Sequence, residues 1–155
     1  MRQLAYLRDR PECFAIVAQW IWDEWKYLLA QRSLAEFEAW FRADARGYGL
    51  PTTLVWLAEG EPVGTVSLEC ADMDLRPEFT PWLASLYVAP AQRGRGLGRA
   101  LVRAAEEEAR SLGIAELFLY TPGQEEFYAA LGWELCEQCE YRGTAVTIMR
   151  RRLKL

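Results

Sequence analysis

The hydrophobic and polar positions divide the chain into helical and extended stretches. Apolar residues recur every three or four positions over residues 11–30 and over residues 97–112, which predicts two amphipathic helices there. A further helix begins with an S-x-x-E capping box at Ser33 and is ended by glycines, the first of them Gly47. A shorter helix is predicted over residues 124–131.

Extended stretches lie between and around these helices. They predict seven strands, over residues 2–9, 52–58, 62–70, 83–89, 115–121, 133–141 and 144–153. The order is β-α-α-β-β-β-α-β-α-β-β, which predicts the fold class α/β (α+β): a single mixed, mostly antiparallel sheet flanked by helices, in one domain spanning residues 1–155. The arginines at 150–152 indicate an exposed charge run on an edge strand.

Charge and cysteine content exclude several classes of protein. The net charge is -4, whereas a nucleic-acid-binding protein normally presents a basic face, so no nucleic-acid partner is expected. No apolar run approaches the roughly 20 residues of a membrane span, and the charged first residues do not resemble a secretory signal. The four cysteines do not have the density of a disulfide framework. We therefore expect a cytoplasmic protein with reduced thiols and no membrane partner.

The absence of histidine narrows the chemistry. It excludes Ser-His-Asp and Cys-His nucleophilic sites and removes the commonest zinc ligand. Cys136 and Cys139 have the spacing of a metal or redox pair, but they fall within a predicted strand, where positions three apart face opposite sides. No metal site is therefore expected.

The stretch from Ala91 to Ala105 is locally basic in this acidic chain, with four arginines and no acidic residue. Its glycines stand directly between a predicted strand and a predicted helix. The first N–H groups of a helix lack intrahelical partners, and glycine lets a phosphate approach the backbone closely. Arg93, Arg95 and Arg99 add charge-assisted hydrogen bonds. The stretch therefore predicts a site for a small, highly charged anion.

The glycine spacing separates this loop from two common phosphate-binding motifs. Arg99 stands where the dinucleotide-binding fingerprint requires its third glycine, and no lysine is present for a Walker loop. The remaining pattern, Q/R-x-x-G-x-G, resembles the pyrophosphate-binding signature of the GNAT superfamily of N-acetyltransferases. The segments "SLYVAP", directly before the loop, and "FYAALGW", from Phe127 to Trp133, are also similar to that family. The resemblance is clearest from about Val63 to Trp133.

This resemblance implies a GNAT-like fold and acetyl-CoA as the cofactor. It implies that the strand before the loop splays from its neighbour and pairs its backbone with the pantetheine amides, while Phe127 packs against the cofactor. The cofactor-binding residues that it implies are Leu86, Tyr87, Val88, Arg93, Gly94, Arg95, Gly96, Leu97, Gly98, Arg99 and Phe127.

Two catalytic residues are expected. By resemblance, Tyr128 lies beside the CoA sulfur and acts as a general acid or orients the sulfur. An alkyl amine with a pKa near 10 is mostly protonated at neutral pH, so a base is also needed. Glu69, at the end of a strand near the splay, is the candidate base. The following loop offers Asp72, Asp74 and Glu78 as alternatives, and a base acting through water or selection of the neutral amine also remains open.

The chain departs from the family pattern on one strand. Tyr120 stands where some relatives carry a catalytic glutamate. The asparagine that many relatives place after this strand is also missing, and Thr121 and Gln124 are its nearest polar substitutes. The identity of the base is therefore open.

We expect an N-acetyltransferase that moves the acetyl group of acetyl-CoA to a primary amine by direct attack in a ternary complex. A small molecule, an amine-bearing antibiotic and a peptide N-terminus are all possible acceptors. The acidic loop over residues 71–82 and the cluster of Trp20, Trp22 and Trp25 would suit a cationic amine. The alternative is a non-catalytic acyl-CoA-binding sensor, which would not need the phenol of Tyr128. The protein is expected to be a monomer or a homodimer.

Overall fold

One mixed sheet organises the chain. A computed structural model describes residues 1–29, 32–44 and 49–154. Within these residues, seven strands form a sheet in the order β1-β2-β3-β4-β5-β7-β6, in which β4 and β5 are parallel and the other neighbours are antiparallel. The strands are β1 (Arg2–Tyr6), β2 (Thr52–Ala58), β3 (Glu61–Glu69), β4 (Trp82–Val88), β5 (Glu116–Thr121), β6 (Glu134–Tyr141) and β7 (Thr144–Arg152). The predicted fold class is confirmed.

Four helices flank the sheet in the described part of the chain. They are α1 (Phe14–Trp25), α2 (Leu34–Asp44), α3 (Leu97–Ser111) and α4 (Glu125–Ala130), so the predicted order of elements is confirmed. The capping box of α2 is present: the Ser33 N–H donates to the Glu36 carboxylate and the Glu36 N–H donates to the Ser33 hydroxyl, each at 3.1 Å. The predicted ends at Ala30 and Gly47 lie outside the described residues. None of the described helices is both long and apolar enough to cross a bilayer.

The two faces of the sheet bury different helices. On one face, α3 packs through Leu97 and Leu101 against a cluster that includes Leu117 and Leu119. On the other face, α1 and α2 cover Val55 and neighbouring strand residues. Because side chains alternate along a strand, Leu117 and Leu119 of β5 pack on the α3 face while Phe118 packs on the other face. The short loop after Val88 places the start of α3 beside the end of β4.

Strand β7 is an interior strand, so the prediction of an edge strand for residues 150–152 was wrong. It lies between β5 and β6, and its arginines pair with acids of neighbouring elements. Arg151 reaches Glu106 of α3, whose side chain is fully buried, with 3.7 Å between Nε and Oε1. Arg151 therefore belongs to the packing between the sheet and α3, whereas Arg150 and Arg152 pair with Glu134 of β6 and Glu116 of β5.

A bulge in β6 corrects the expectation for the two cysteines. Leu135 pairs with Met149 and Glu137 pairs with Ile148, so Cys136 is an extra residue without a partner position. The extra residue reverses the alternation, and Cys136 and Cys139 pack against the same hydrophobic cluster. Both thiols are free.

Candidate active site

A cleft opens where the two parallel strands separate. Within the described residues, β4 and β5 share a single registered pair, Trp82 with Phe118. Beyond this pair lies a cavity of about 750 Å³, lined by residues 83–88 of β4 and by the end of β5. The backbone groups on this edge of β4 are therefore not used by β5, as the predicted splay requires.

A bulge shapes the wall that β4 presents to the cleft. Thr65 pairs with Tyr87 and Ser67 pairs with Ala84, so two β4 residues, Ser85 and Leu86, oppose one residue of β3. Ser85 has a φ of 55°, in the left-handed region that non-glycine residues seldom adopt. A bulge bends its strand and redirects the neighbouring groups. The strain is thus stored in the segment that lines the cleft.

The glycine loop joins the end of β4 to the start of α3. Gly94 and Gly96 both have a φ of 79°, and a Cβ built on either would meet no atom within 4 Å. Gly96 is the N-cap of α3 and supplies no capping side chain, and the first helical bond runs from the Ala100 N–H to the Gly96 carbonyl at 3.1 Å. The helix therefore leaves the N–H groups of residues 97–99 available to an anion.

The three predicted arginines are not equivalent. Arg93 donates from Nε to the Val88 carbonyl at 2.9 Å, and its guanidinium carbon lies 5.4 Å from the ring centroid of Tyr87. Arg93 and Arg99 line the cavity, whereas Arg95 is the one described residue of the 93–99 loop outside its wall. Arg93 and Arg99 therefore contribute to the cavity wall, and Arg95 does not.

Tyr128 of α4 closes another side of the cavity. It is 8% exposed and packs edge-on against Phe127 and Trp133, with ring centroids 5.0 and 6.0 Å away. Burial raises the pKa of its phenol above the ordinary value. The hydroxyl therefore stays protonated at neutral pH and can donate a hydrogen bond into the cleft.

Acidic and aromatic side chains line another part of the cavity. Asp72, from the loop between β3 and β4, lies in the wall with Tyr120 of β5 and with Glu24 and Tyr27 from the end of α1 and just beyond it. Burial raises the pKa of the Asp72 carboxyl to about 7. Burial and the neighbouring Asp72 carboxylate both raise the pKa of the Tyr120 phenol. A carboxyl that titrates near neutral pH suits proton transfer.

Glu69 is placed differently from the other predicted site residues. It lies outside the cavity wall, at the end of β3, where it pairs in register with Trp82. Burial and the neighbouring carboxyl of Asp44 raise its pKa, and the two side chains share a hydrogen bond. A carboxyl held protonated by such a pair is poorly suited to accept a proton at neutral pH.

The structure adds two residues that sequence reasoning missed. Glu24 and Tyr27 lie off the apolar stripe of α1, so hydrophobic periodicity does not single them out. Their neighbour Trp25, one of the three tryptophans expected to suit a cationic amine, lines the same cavity. Thr121 stabilises the turn before α4, because its Oγ1 accepts a hydrogen bond from the Gln124 N–H at 3.0 Å.

Comparison with known proteins identifies the family. The model of the family described as "Acetyltransferase (GNAT) family" matches residues 14–133. An uncharacterized N-acetyltransferase of Methanocaldococcus jannaschii is 36% identical over 80 residues, which are 48% of this chain and 35% of that protein. N-alpha-acetyltransferase 80 of Mus musculus is 42% identical over 66 residues, which are 43% of this chain and 20% of that protein. These matches span about a third and a fifth of the two relatives.

Solved structures share the whole fold. A Salmonella typhimurium protein solved with its cofactor acetyl-CoA superposes with a TM-score of 0.72 at 22% identity, covering 100% of this chain and 95% of that one. An aminoglycoside 6'-N-acetyltransferase complexed with coenzyme A gives a TM-score of 0.74 at 15% identity, covering 97% and 96% of the two chains. Because the family match extends over well more than half of its length, this chain belongs to the GNAT family of acetyltransferases.

Proposed function

We propose that this protein transfers the acetyl group of acetyl-CoA to a primary amine in a ternary complex. The observation that carries the proposal is that one cavity joins the glycine-rich start of α3, the free edge of β4 and a buried phenol. A thioester with a diphosphate at its far end requires these three features in one cleft. The same arrangement has no evident use in a protein that binds only a simple anion.

The loop before α3 fits the diphosphate of the cofactor. The space beside Gly94 and Gly96 is open, where a side chain would otherwise project. We assign the diphosphate to the N–H groups of residues 97–99, with added charge from Arg93 and Arg99. We assign the amide-bearing arm to the free backbone edge of residues 86–88 and to the ring of Phe127.

Tyr128 and Asp72 supply the two proton-handling groups. Bound acetyl-CoA supplies a thioester, and transfer of its acetyl group to an amine leaves a thiolate that needs a proton. Tyr128 stabilises the departing sulfur by donating a hydrogen bond to it, because burial raises the pKa of the phenol and keeps its hydroxyl protonated. Asp72 acts on the acceptor, because its carboxylate accepts a proton from the ammonium group and leaves the neutral amine that attacks the thioester. We favour Asp72 over Glu69 because Asp72 lines the cavity and titrates near neutral pH.

The cofactor proposal is tested with a matched pair of glycine variants. Acetyl-CoA should raise the melting temperature of the protein, and the rise should grow with the logarithm of its concentration above the Kd. Gly96→Val should abolish this rise, because the valine side chain would occupy the open space assigned to the diphosphate. Gly60→Val is the control, since Gly60 has a similar φ of 81° with open space around it but lies in the turn between β2 and β3. Loss of the rise in both variants, or in neither, would place the cofactor elsewhere.

The transfer proposal is tested by release of CoA thiol in the presence of a panel of amines. Tyr128→Phe should lower kcat about 10- to 100-fold and leave the Kd for acetyl-CoA within about twofold. Tyr141→Phe, a buried tyrosine outside the cavity, should leave kcat unchanged. An equal loss of binding and turnover in Tyr128→Phe would make its role one of packing. Cofactor binding without thiol release from any amine would contradict the transferase.

A further inference from the structure

The cavity wall carries charges of both signs, on different elements. Its described cationic residues are Arg93 and Arg99, both from the glycine loop and the start of α3. Its described carboxylates are Glu24, on α1, and Asp72, in the loop that follows β3. The wall is therefore divided electrostatically by the elements that build it.

The strand register separates the two kinds of charge. Asp72 follows Glu69 by three residues, and Glu69 pairs with Trp82 at the start of β4. Arg93 follows the other end of β4 and bonds to the Val88 carbonyl. Six steps of at most about 3.3 Å separate the ends of this strand, so the distance is below roughly 20 Å, because the bulge at Ser85 bends the strand. The acidic loop and the basic loop thus lie at opposite ends of the cleft.

The end of α1 lies on the acidic side. Leu28, one turn beyond Glu24, packs in the same cluster as Trp82 and Met73, and Met73 is the residue after Asp72. Tyr27 is close enough to Tyr120 to influence its pKa. The carboxylate of Glu24 therefore adds to that of Asp72.

Two described cations near the acidic end, Arg142 and Lys26, have partners elsewhere. Arg142 of the turn between β6 and β7 pairs with Asp74, with 2.9 Å between Nη2 and Oδ2. Lys26 of α1's C-terminus lies over the ring of Trp22, 4.6 Å from its centroid. Neither cation lines the cavity, so the acceptor would meet a negative potential there.

Aromatic surface begins at the acidic end and extends along β4 toward Tyr87. Trp25, Tyr27 and Tyr120 all contribute to the wall. Trp25 packs edge-on to Tyr87 of β4, with ring centroids 6.4 Å apart, which ties α1 to the strand that lines the cleft. Aromatic faces bind apolar bodies and attract cations.

We propose that the acceptor is a cationic amine with an aromatic or apolar body and without a carboxylate beside the amine. This inference rests on the proposed acetyl transfer and names its substrate class. Asp72 and Glu24 attract the ammonium group, and the aromatic residues bind the body. An acceptor of the free amino acid type is rejected, because its carboxylate would face two like charges while Arg93 and Arg99 are occupied by the diphosphate of the cofactor.

The test uses sets of three amines that differ in one group. Tyramine, tyrosine and tyrosinamide share one aromatic body, as do tryptamine, tryptophan and tryptophanamide. We expect kcat/KM for thiol release to be at least tenfold higher for each amine than for its carboxylated analogue. The amides should lie close to the simple amines, because they match the bulk of the carboxylate without its charge. Amides rejected as strongly as the acids would overturn the electrostatic explanation.

A charge reversal on α1 tests whether the preference for tyramine over tyrosine arises in the cavity wall. Glu24→Arg should reduce the preference for tyramine over tyrosine by at least threefold, by placing a cation in the cavity wall. Asp23→Arg is the matched control, since Asp23 is the preceding exposed residue and bonds to Gln19 at 2.9 Å outside the cavity wall. An equal change of preference in both variants would assign the effect to the overall charge of the protein.

Direct binding distinguishes failure of this inference from failure of the proposed transfer. The increase in melting temperature caused by tyramine or tyrosine is measured on protein saturated with CoA. This measurement needs no turnover. Tyramine should stabilise the protein more than tyrosine. Equal stabilisation by both, or by neither, overturns the acceptor class, while the acetyl-CoA melting shift independently reports on the cofactor.

Discussion

Trp82 and Phe118 form the one registered pair between the parallel strands in the described chain, and the cleft begins directly beyond them. The Phe118 N–H also donates to the Pro81 carbonyl at 3.0 Å. Phe79 stacks on Phe118 with ring centroids 4.5 Å apart, and the rings of Trp82 and Phe118 are 6.0 Å apart. An aromatic cluster therefore holds the strands together at the closed end of the cleft.

Removing one ring of this cluster should destabilise the fold strongly. Phe118 is 6% exposed, so we expect Phe118→Ala to lower the free energy of unfolding by about 3–5 kcal/mol through lost burial and a residual cavity. Urea unfolding measures this loss. Leu135→Ala is the control, because Leu135 is 57% exposed and should change stability by less than about 0.5 kcal/mol. A loss below about 1 kcal/mol for Phe118→Ala would contradict the role of the cluster.

A glycine in the β4 bulge should stabilise the protein. At Ser85 the left-handed φ of 55° strains any residue with a Cβ, so Ser85→Gly should raise the free energy of unfolding by about 0.5–1 kcal/mol, net of the entropy of glycine. The same change at the neighbouring Ala84, which pairs with Ser67, should destabilise by about 1 kcal/mol. Thermal unfolding of the two variants provides the comparison. Destabilisation by both would mean that the strain at Ser85 is offset by its side-chain contacts.

Local signals predicted much of the fold and the glycine loop between β4 and α3. The capping box at Ser33 and the glycine cap at Gly113 are set by interactions within a few residues, and both are present. The glycine loop was predicted for the same reason, because an exposed helix start needs only the strand before it and the helix after it. Short-range chemistry of this kind can be read from one sequence.

Features set by distant residues were harder to predict. The bulge at Cys136 depends on pairing with β7, and the interior place of β7 depends on the order of the whole sheet. Trp40 repeats at helical spacing with the buried Phe37, yet it is 42% exposed because α1 does not cover it. The acidic end of the cavity joins residues from three separate elements, which no local pattern reveals.

The buried carboxylate of α3 should be important for stability. Glu106 is fully buried, with Arg103 Nη1 2.9 Å from its Oε1 and the Trp133 indole donating to its Oε2 at 3.2 Å. Glu106→Gln removes the charge that balances Arg103 and Arg151. We therefore expect the free energy of unfolding to fall by about 2–4 kcal/mol, measured by urea unfolding. Glu107→Gln is the matched control, because this exposed neighbour pairs with Arg110 at the surface and should cost about 0.5 kcal/mol or less. Equal losses would mean that burial adds nothing to the pairing of Glu106.

The pH dependence of turnover should reveal the base. Because the pKa of Asp72 is about 7, kcat/KM should rise about tenfold per pH unit below that value and level off above it, for an amine whose own pKa is near 10. Asp72→Asn should remove this limb and lower kcat/KM by about 100-fold or more. If the rise instead follows the pKa of each amine in both proteins, the neutral amine is selected and Asp72 is not the base.

The same variant should stabilise the protein in a pH-dependent way. The pKa of Asp72 is raised to about 7 in the folded protein from the ordinary 3.8, so the folded state binds more protons between these values. Stability is therefore lost as pH rises from about 4 to about 7, and above pH 7 the whole penalty for the charged carboxylate is present. Asp72→Asn carries no such charge, so it should raise the free energy of unfolding at pH 8 by about 1–3 kcal/mol, a range reduced for the partial exposure of the group. At pH 4 the variant and the parent protein should be nearly equal. If Asp72→Asn raised the free energy of unfolding equally at pH 4 and pH 8, the effect would come from packing. An increase confined to pH 8 would mean that the protein keeps a destabilising charge at the proposed acceptor site.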